Sequence, residues 1–296
     1  MRPMQRYAVV SAFFAFGLAA CSSANNTGPG APSLTQSQSD AVGELVAADA
    51  DAEIDAAAST GSNGIDVSIA SIGGFTANHA PPLACATRTP ASPVDTDGDA
   101  VPDSVRYDFS TCVISRPFFT DSLSGTIDFI DPAPSVAGHQ VKKVFTDFGR
   151  TRTRTISGHR FAAIRNGIRD VTRDSSVLQH SETAFRTDYT YNDASTATHL
   201  RTWSSAFTAD VAGSIAADTP LPSGTWNITG NSTWTHGGNS WSLAVTTNPQ
   251  LHYDANCTDA PRFDAGIMTA VVTRNGETST VTITYTACGQ FTVTRS

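Results

Sequence analysis

The stretch MTAVVTRNGETSTVTI, residues 268–283, decides the fold class of this chain. Asn275-Gly276 is a dipeptide that two-residue hairpin turns favour, because both residues tolerate positive φ. A turn here fixes the register and places apolar residues opposite one another on one face: Met268 with Ile283, and Ala270 with Val281. The other face is rich in threonine. This division is typical of an antiparallel sheet that is covered on one side.

A second hairpin is encoded by TWTHGGNSW, residues 233–241. Its Gly237-Gly238 turn sets Trp234 directly opposite Trp241, and a cross-strand aromatic pair contributes roughly 0.2–1 kcal/mol. Alternating apolar residues predict further strands around Phe185–Tyr191 and Trp203–Val211. Three more turn signals separate such runs: Ser157-Gly158, Asn166-Gly167 and Pro220-Leu221-Pro222. The chain is therefore expected to fold mainly as a meander of hairpins.

Composition agrees with strands and excludes several classes of protein. The chain has 296 residues, of which 40% are hydrophobic, and this fraction is enough for a packed core. Threonine is abundant, and Lys142 and Lys143 are the only lysines, which favours strands over a helical bundle. The net charge of −8 argues against a nucleic-acid partner, which normally meets a basic surface. No apolar run reaches the roughly 18 residues of a membrane-spanning helix.

One helix is expected near the N-terminus, at about residues 40–58. Ser39 or Asp40 suits its N-cap, and four apolar residues share one side of it: Val42, Leu45, Val46 and Ile54. Carboxylates crowd its later turns, which is unfavourable near a helix C-terminus. The expected fold is mainly β, an antiparallel curved meander or sandwich-like sheet with one N-terminal α-helix, in a single domain over residues 39–296.

The first twenty residues read as an export signal. Arg2 and Arg6 precede an apolar run of signal-peptide length. The run ends in Leu18-Ala19-Ala20-Cys21, which resembles the lipobox of bacterial lipoproteins. An ordinary secretory signal, in which Cys21 is incidental, is the alternative.

The lipoprotein resemblance implies cleavage before Cys21 and acylation of its sulfur and its new amino group, palmitate being one such chain. Two or more acyl chains give stable anchoring, at about 0.8 kcal/mol for each buried methylene. Ser22 after the cysteine implies the outer membrane of the bacterial cell envelope. Residues 21–38 are then the lipidated cysteine and a flexible tether, with a reach of about 20–25 Å.

Four cysteines remain after Cys21, and in an exported chain they are expected to form disulfides. Four cysteines allow three connectivities. The two local pairs, Cys85–Cys112 and Cys257–Cys288, are favoured, because each closes a loop that the chain-entropy model values at about 3–4 kcal/mol. Zinc binding is the rival interpretation, but no C-x-x-C pair supports it.

The acidic segment DTDGDAVPD, residues 95–103, is a candidate cation site. Its carboxylates at Asp95, Asp97, Asp99 and Asp103 are the ligands that calcium prefers. It departs from an EF-hand loop and resembles the acidic calcium loops of thrombospondin type-3 repeats, although Ala100 replaces their usual glycine. The resemblance implies a structural calcium ion. A solvated turn that satisfies its own backbone is the alternative, and no other cofactor is expected.

Two other sets of residues are candidates for binding. Arg150, Arg152 and Arg154 share one face of a strand and could hold an anionic ligand, whereas a solvated strand face is the plainer interpretation. Trp234 and Trp241 could bind a sugar or an acyl chain, although most aromatic residues on strands belong to the core.

The sequence contains no motif of a known catalytic class: no G-x-S-x-G, no H-E-x-x-H and no Walker loop. The expected function is therefore a lipid-anchored envelope protein whose folded part is a non-catalytic binding or structural module. One version encloses a lipid-like ligand between sheet and helix, and this resembles envelope lipid-carrier lipoproteins in architecture alone. The alternatives are a surface adhesion or scaffold module that binds anionic glycans or envelope proteins, and a hydrolase.

Overall fold

The computed structural model describes residues 34–58, 85–99, 101–138, 140–216 and 220–296. The predicted signal peptide, Cys21 and most of the predicted tether lie outside these residues. The described chain forms one helix and fourteen strands, with the following bounds: α1 Gln36–Ala58, β1 Thr87–Thr89, β2 Ser104–Asp108, β3 Val113–Ser115, β4 Phe119–Ile130, β5 Gln140–Arg154, β6 Arg160–Arg173, β7 Val177–Thr190, β8 Thr196–Ala209, β9 Gly224–His236, β10 Asn239–Thr247, β11 Leu251–Tyr253, β12 Phe263–Arg274, β13 Glu277–Ala287 and β14 Gln290–Arg295.

All fourteen strands belong to one antiparallel sheet. Its order is β1-β2-β4-β5-β6-β7-β8-β9-β10-β12-β13-β14, so that almost every strand pairs with its neighbour in sequence. Strand β3 pairs with β4. Strand β11 follows β10 after Pro249 and pairs with the same two strands as β10 does, β9 and β12. The predicted fold class is confirmed: a long antiparallel meander with one N-terminal helix.

Both predicted hairpins have the predicted register. Trp241 lies opposite Trp234, and Gly237 and Gly238 at the turn have φ of 56° and 81°. In the C-terminal hairpin the predicted pairs are formed, Met268 with Ile283 and Ala270 with Val281. The turns selected the register because their positive φ values suit glycine and asparagine.

Helix α1 starts a turn earlier than predicted. Thr35 is its cap: the Gln38 backbone N–H donates to the Thr35 hydroxyl, and the Thr35 backbone N–H donates to the Gln38 side chain. This reciprocal pair is a capping box, which satisfies two backbone donors that the helix leaves free. The predicted apolar side is confirmed, because Val46 and Ile54 are buried in the main core.

The sheet curves around α1. The helix contacts β7 and also β12, β13 and β14. In a flat sheet β7 and β14 would be about 29 Å apart, since six strand spacings of about 4.8 Å separate them, whereas a helix is only about 10–12 Å wide. The helix can therefore contact both β7 and β14 only if the sheet bends around it. At Gly43 the helix backbone packs directly against the Val293 side chain, since a Cβ there would lie 2.5 Å from Val293 Cγ2.

The concave face carries two apolar cores. The larger core joins α1 to β6–β14 and contains Trp226 and Phe263, and the smaller core spans β2–β7 and contains Ile127 and Phe145. Strand β7 contributes to both cores, through Leu178 and Phe185. In a regular strand these two residues would face opposite sides of the sheet, but the bulge between them places both on one face. The two cores are therefore neighbours on one surface of the sheet.

A row of β-bulges crosses the sheet from β4 to β7. The register shifts at Ser124/Thr126, Phe145/Phe148, Asn166/Ile168 and Glu182/Phe185 on four successive strands. Each bulge contains one residue with positive φ: Gly125, Asp147, Gly167 or Ala184. Bulges increase local twist and bend the strand. The predicted turn at Asn166-Gly167 is therefore wrong, because β6 continues through it, and the positive φ of Gly167 lies where the register of β6 shifts against the bulged strands β5 and β7.

The two local disulfides are confirmed. Cys85 pairs with Cys112 and Cys257 pairs with Cys288, at Cα separations of 5.1 and 5.5 Å. The first pair fastens the segment before β1 to the β2–β3 turn, beside the smaller core. The second fastens the β11–β12 connection to the β13–β14 turn. Each disulfide therefore closes a loop next to the sheet, as expected of local pairs.

Candidate functional site

The three predicted arginines do not form a free ladder. The Nη2 atoms of Arg150 and Arg152 each lie 2.7 Å from one carboxylate oxygen of Asp121 on β4. Arg152 also lies over the Phe119 ring, 3.9 Å from its centroid. Burial opposes ionisation of Asp121, but hydrogen bonds from the two guanidiniums outweigh it and lower its pKa. Only Arg154, at the exposed end of β5, projects into solvent.

The two predicted tryptophans belong to an aromatic stack. The Trp234 and Trp241 rings are stacked with centroids 6.3 Å apart. Trp234 also stacks on His199 at 4.0 Å and on Tyr189 at 5.7 Å. Trp234 is buried in the larger core and Trp241 packs against it. Trp234 is therefore enclosed by protein neighbours, and one side of Trp241 contacts Trp234.

The acidic loop brings three of its four predicted ligands together. Carboxylate oxygens of Asp95, Asp97 and Asp99 all lie within 4.8 Å of one another. Asp103 instead accepts hydrogen bonds from the backbone N–H and the hydroxyl of Thr96. Partial desolvation and the neighbouring carboxylates raise the pKa of Asp97. Calcium binding at this loop stays a prediction.

Calcium is expected to raise the melting temperature of the protein, and a chelator is expected to reverse the rise, because a cation would relieve repulsion among three close carboxylates. The Asp97→Asn variant should lose the calcium-dependent part of the rise. The Asp193→Asn variant, which changes an exposed turn elsewhere, should keep it. Identical melting curves with and without calcium would remove the site.

A second cluster of possible ligands, Asp254 with Cys257 and Cys288, has a simpler explanation. Its two sulfurs are joined in a disulfide. Metal binding requires thiolates, so this cluster is a covalent cross-link beside a carboxylate.

The largest polar feature of the structure is a buried band between the two cores. Its charged members come from β6, β7, β8 and α1: Arg165, Arg169, His180, Glu182, His199, Arg201, Asp49 and Glu53. Glu182 lies at the centre. Its carboxylate accepts a bidentate pair from Arg201, at 2.5 and 2.7 Å, and lies 2.8 Å from Arg169 Nε. Two guanidiniums thus share one fully buried carboxylate.

The acidic side of α1 completes this band. Asp49 Oδ1 lies 3.2 Å from Arg201 Nη1, and Glu53 Oε2 lies 2.6 Å from His180 Nδ1. About half a turn from Asp49 and Glu53, and so on another side of the helix, Asp51 Oδ1 lies 3.0 Å from Arg262 Nε. The carboxylates that crowd the helix in the sequence are therefore distributed among basic partners on the sheet.

Burial and pairing act in opposite directions on these groups. Burial raises the pKa of Asp49 to about 6, although Arg201 favours its charged form. Burial also opposes ionisation of Glu182, but Arg201 and Arg169 outweigh it and lower its pKa to about 2. Burial holds the pKa of His199 well below its usual value. At pH 7 the Glu182 carboxylate is therefore ionised and the His199 imidazole is neutral.

The band is arranged to fix α1 to the sheet. Glu53, His180 and Glu182 are at most 1% exposed, so a substrate has no direct access to them while the helix is in place. Within the described residues, Nε2 of His180 and Nε2 of His199 have no hydrogen-bond partner. The helix is nevertheless held by its ion pairs, because Glu53 pairs with His180 on β7 and Asp49 pairs with Arg201 on β8.

A separate histidine lies between two carboxylates on the rim of the sheet. His252 Nδ1 is 2.6 Å from Asp264, and Nε2 is 3.0 Å from Asp210. Hydrogen bonding to Asp210, and then to Asp264, raises the pKa of His252. Among the described residues, both of its ring nitrogens thus face carboxylates rather than a hydroxyl or thiol. The raised pKa favours the imidazolium form, so the cluster is a partly exposed ion-pair group of one histidine and two carboxylates.

Sequence reasoning missed the buried band. Arg165, Arg169 and Arg173 have the same parity along β6 as the core residues Ala163 and Val171, which is a visible sign that they face inward. The partners within the band lie on other elements: Arg169 pairs with Glu182 on β7, and Arg201 of β8 pairs with Asp49 on α1, 152 residues away. Parity alone could not name those partners.

No protein-family model matches the chain, and comparisons with curated proteins and with solved structures find no match either. Among the residues that the structure describes, no helical segment combines the length and the hydropathy needed to cross a bilayer.

Proposed function

We propose that this chain is a lipid-anchored protein of the bacterial outer membrane whose folded part is a non-catalytic binding or structural module. The observation that carries the proposal is the position of α1. The helix fills the concave face of β7–β14 with Val46, Ala50 and Ile54, and it pairs its carboxylates with buried bases. The helix thus fills the concave face on which a carrier would have to enclose a lipid.

This occupation favours a module that presents its outer surface over one that encloses a lipid. Enclosure would require α1 to leave its buried ion pairs, and leaving an ionised group buried without a partner is strongly unfavourable. Binding at an exposed face or rim requires no such change. Surface recognition of an envelope component therefore agrees better with the geometry than enclosure of a lipid does.

The anchor is tested by acyl labelling in cells. The unchanged chain is expected to incorporate labelled palmitate, and Cys21→Ala is expected to incorporate none, because the thiol is the proposed acceptor. Ser22→Ala is the matched control and should keep the label. Label on Cys21→Ala, or none on the unchanged chain, would contradict the anchor.

The nature of the folded part is tested on the same material by native mass spectrometry. The proposed module should appear at the mass of the polypeptide alone. A stoichiometric co-purifying lipid would instead favour a carrier, with α1 acting as a movable cover.

A further inference from the structure

Two neighbouring turns form an exposed apolar tip at one end of the sheet. Residues 116–118 join β3 to β4, and residues 155–159 join β5 to β6. The Thr155 backbone N–H donates to the Phe118 carbonyl at 3.0 Å, so the turns are in direct contact. Phe118 is 70% exposed and Ile156 is 88% exposed. Two large apolar side chains thus project from adjoining turns.

The same tip is basic. Arg116, Arg154 and Arg160 are exposed there, and residues 116–118 and 154–160 contain no Asp or Glu. In the part of the chain that the structure describes, none of these three arginines forms a salt bridge. We call residues 116–118 and 154–160 the basic tip. It combines exposed apolar groups with cations that are available to an external anion.

The basic tip is at the end of the sheet where α1 begins. The register puts Phe119 and Arg154 at the same end as the Arg274–Glu277 turn. Strand β14 ends towards that side, and the Arg295 guanidinium there donates to the carbonyl of Leu34, just before α1. The chain therefore enters the fold from the end that carries the basic tip.

Cys21 precedes Leu34 by about 13 residues, which can span at most about 45 Å. An acylated Cys21 would therefore hold the module within about 45 Å of the bilayer, through a connection that enters the fold at the end of the sheet that carries the basic tip. The point of attachment and the basic tip are thus at the same end of the sheet.

We propose that the basic tip is a membrane-binding surface for anionic phospholipid, with Phe118 and Ile156 inserted among the headgroups and the three arginines paired with phosphates. Apolar side chains ringed by cations suit the boundary between headgroups and acyl chains, and guanidinium pairs with phosphate by charge-assisted hydrogen bonds. The orientation argument rests on the proposed anchor, whereas the chemistry of the tip does not. The tip would hold the module upright on the membrane.

The test uses the chain from residue 22 onward, which carries no acyl group and keeps every described residue. It is mixed with vesicles of phosphatidylethanolamine and phosphatidylglycerol, and bound protein is measured by sedimentation. We expect binding that weakens with salt and that falls sharply on vesicles of phosphatidylcholine alone, because each cation near an anionic surface contributes roughly fivefold in affinity.

The paired substitution Phe118→Ser with Ile156→Ser should weaken binding at least about tenfold, since burial of even one large apolar side chain shifts a partition equilibrium by that factor. Val211→Ser is the matched control. Val211 is 68% exposed but lies just after β8, at the opposite end of the sheet, so binding should be unchanged. Arg154→Gln with Arg160→Gln should also weaken binding and flatten its salt dependence.

Absence of binding to the anionic vesicles, or equal binding by the parent and the Phe118/Ile156 variant, would overturn the proposal. So would a result in which that variant abolishes self-association rather than vesicle binding, because the tip would then be a contact between copies. The vesicle experiment does not depend on the anchor. Vesicle binding is expected even if Cys21 is not acylated, and acylation of Cys21 is expected even if the basic tip does not bind vesicles.

Discussion

Glu182→Gln is expected to lower the free energy of unfolding by about 3–5 kcal/mol, as measured by urea denaturation at pH 7. The substitution preserves size but removes the carboxylate that Arg169 and Arg201 share at the centre of the buried band. Removing one member of a buried pair leaves the opposite charge desolvated without its compensation. This is the largest electrostatic effect that we expect from a single substitution.

The matched control is Asp188→Asn. Asp188 pairs with Arg186 at 2.8 Å, but the two side chains are 35% and 55% exposed. Surface pairs contribute about 0–1 kcal/mol, so the control should unfold almost as the parent does. Equal midpoints for the Glu182 and Asp188 variants would show that the band contributes little to stability.

The Glu182 difference should also depend on pH with a definite sign. The pKa of this carboxylate falls from 4.5 to about 2 on folding, so its contribution is present above pH 4.5 and is lost as pH falls towards 2. The gap between the parent and Glu182→Gln should therefore narrow over that interval. A gap that stayed constant would indicate that charge is not its cause.

Gly125→Ala is expected to destabilise the fold by about 2–5 kcal/mol, from two additive causes. Gly125 has a φ of 75°, which disfavours residues with a Cβ by about 1–2 kcal/mol. A Cβ there would also overlap the carbonyl of Asp147 on the neighbouring strand, and overpacking typically adds about 1–3 kcal/mol. Thermal or urea unfolding measures the sum.

Gly213→Ala separates these causes. Gly213 has a similar φ of 82°, but a Cβ there would meet no atom within 4 Å. It should show the conformational cost alone, and the excess for Gly125→Ala should report the close approach of two bulged strands. If both variants lose the same stability, the contact at the bulge is not tight.

Local features of this fold were accessible from the sequence because short-range chemistry determines them. The Gly237-Gly238 and Asn275-Gly276 turns fixed two registers, and alternation identified the faces. The start of α1 was also encoded locally, by Thr35 and Gln38, although the apolar pattern pointed to Ser39 or Asp40. At Asn166-Gly167 the sequence indicates only that positive φ is available, and a turn and a bulge use it equally well.

Long-range pairing was not accessible in the same way. The acids of α1 suggested an unfavourable helix end, but they are matched by His180 and Arg201 on strands more than a hundred positions later. Arg150 and Arg152 suggested a binding ladder, yet Asp121 engages both. The matches to α1 require the curvature of the sheet, which arises only when many strands have assembled. The Asp121 match requires the register of β4 against β5, in which Asp121 lies opposite Arg152 beyond a register shift.

The contact between α1 and β14 has a consequence for biogenesis. Leu34 and Arg295 are in contact although 261 positions separate them, and the Val293 side chain of β14 packs against Gly43 of α1. Contacts between such distant segments form slowly, since a long loop must close before they stabilise anything. During synthesis α1 can therefore complete its contacts only after β13 and β14 have been made. The described fold consequently cannot form in full on a nascent chain that still lacks these strands.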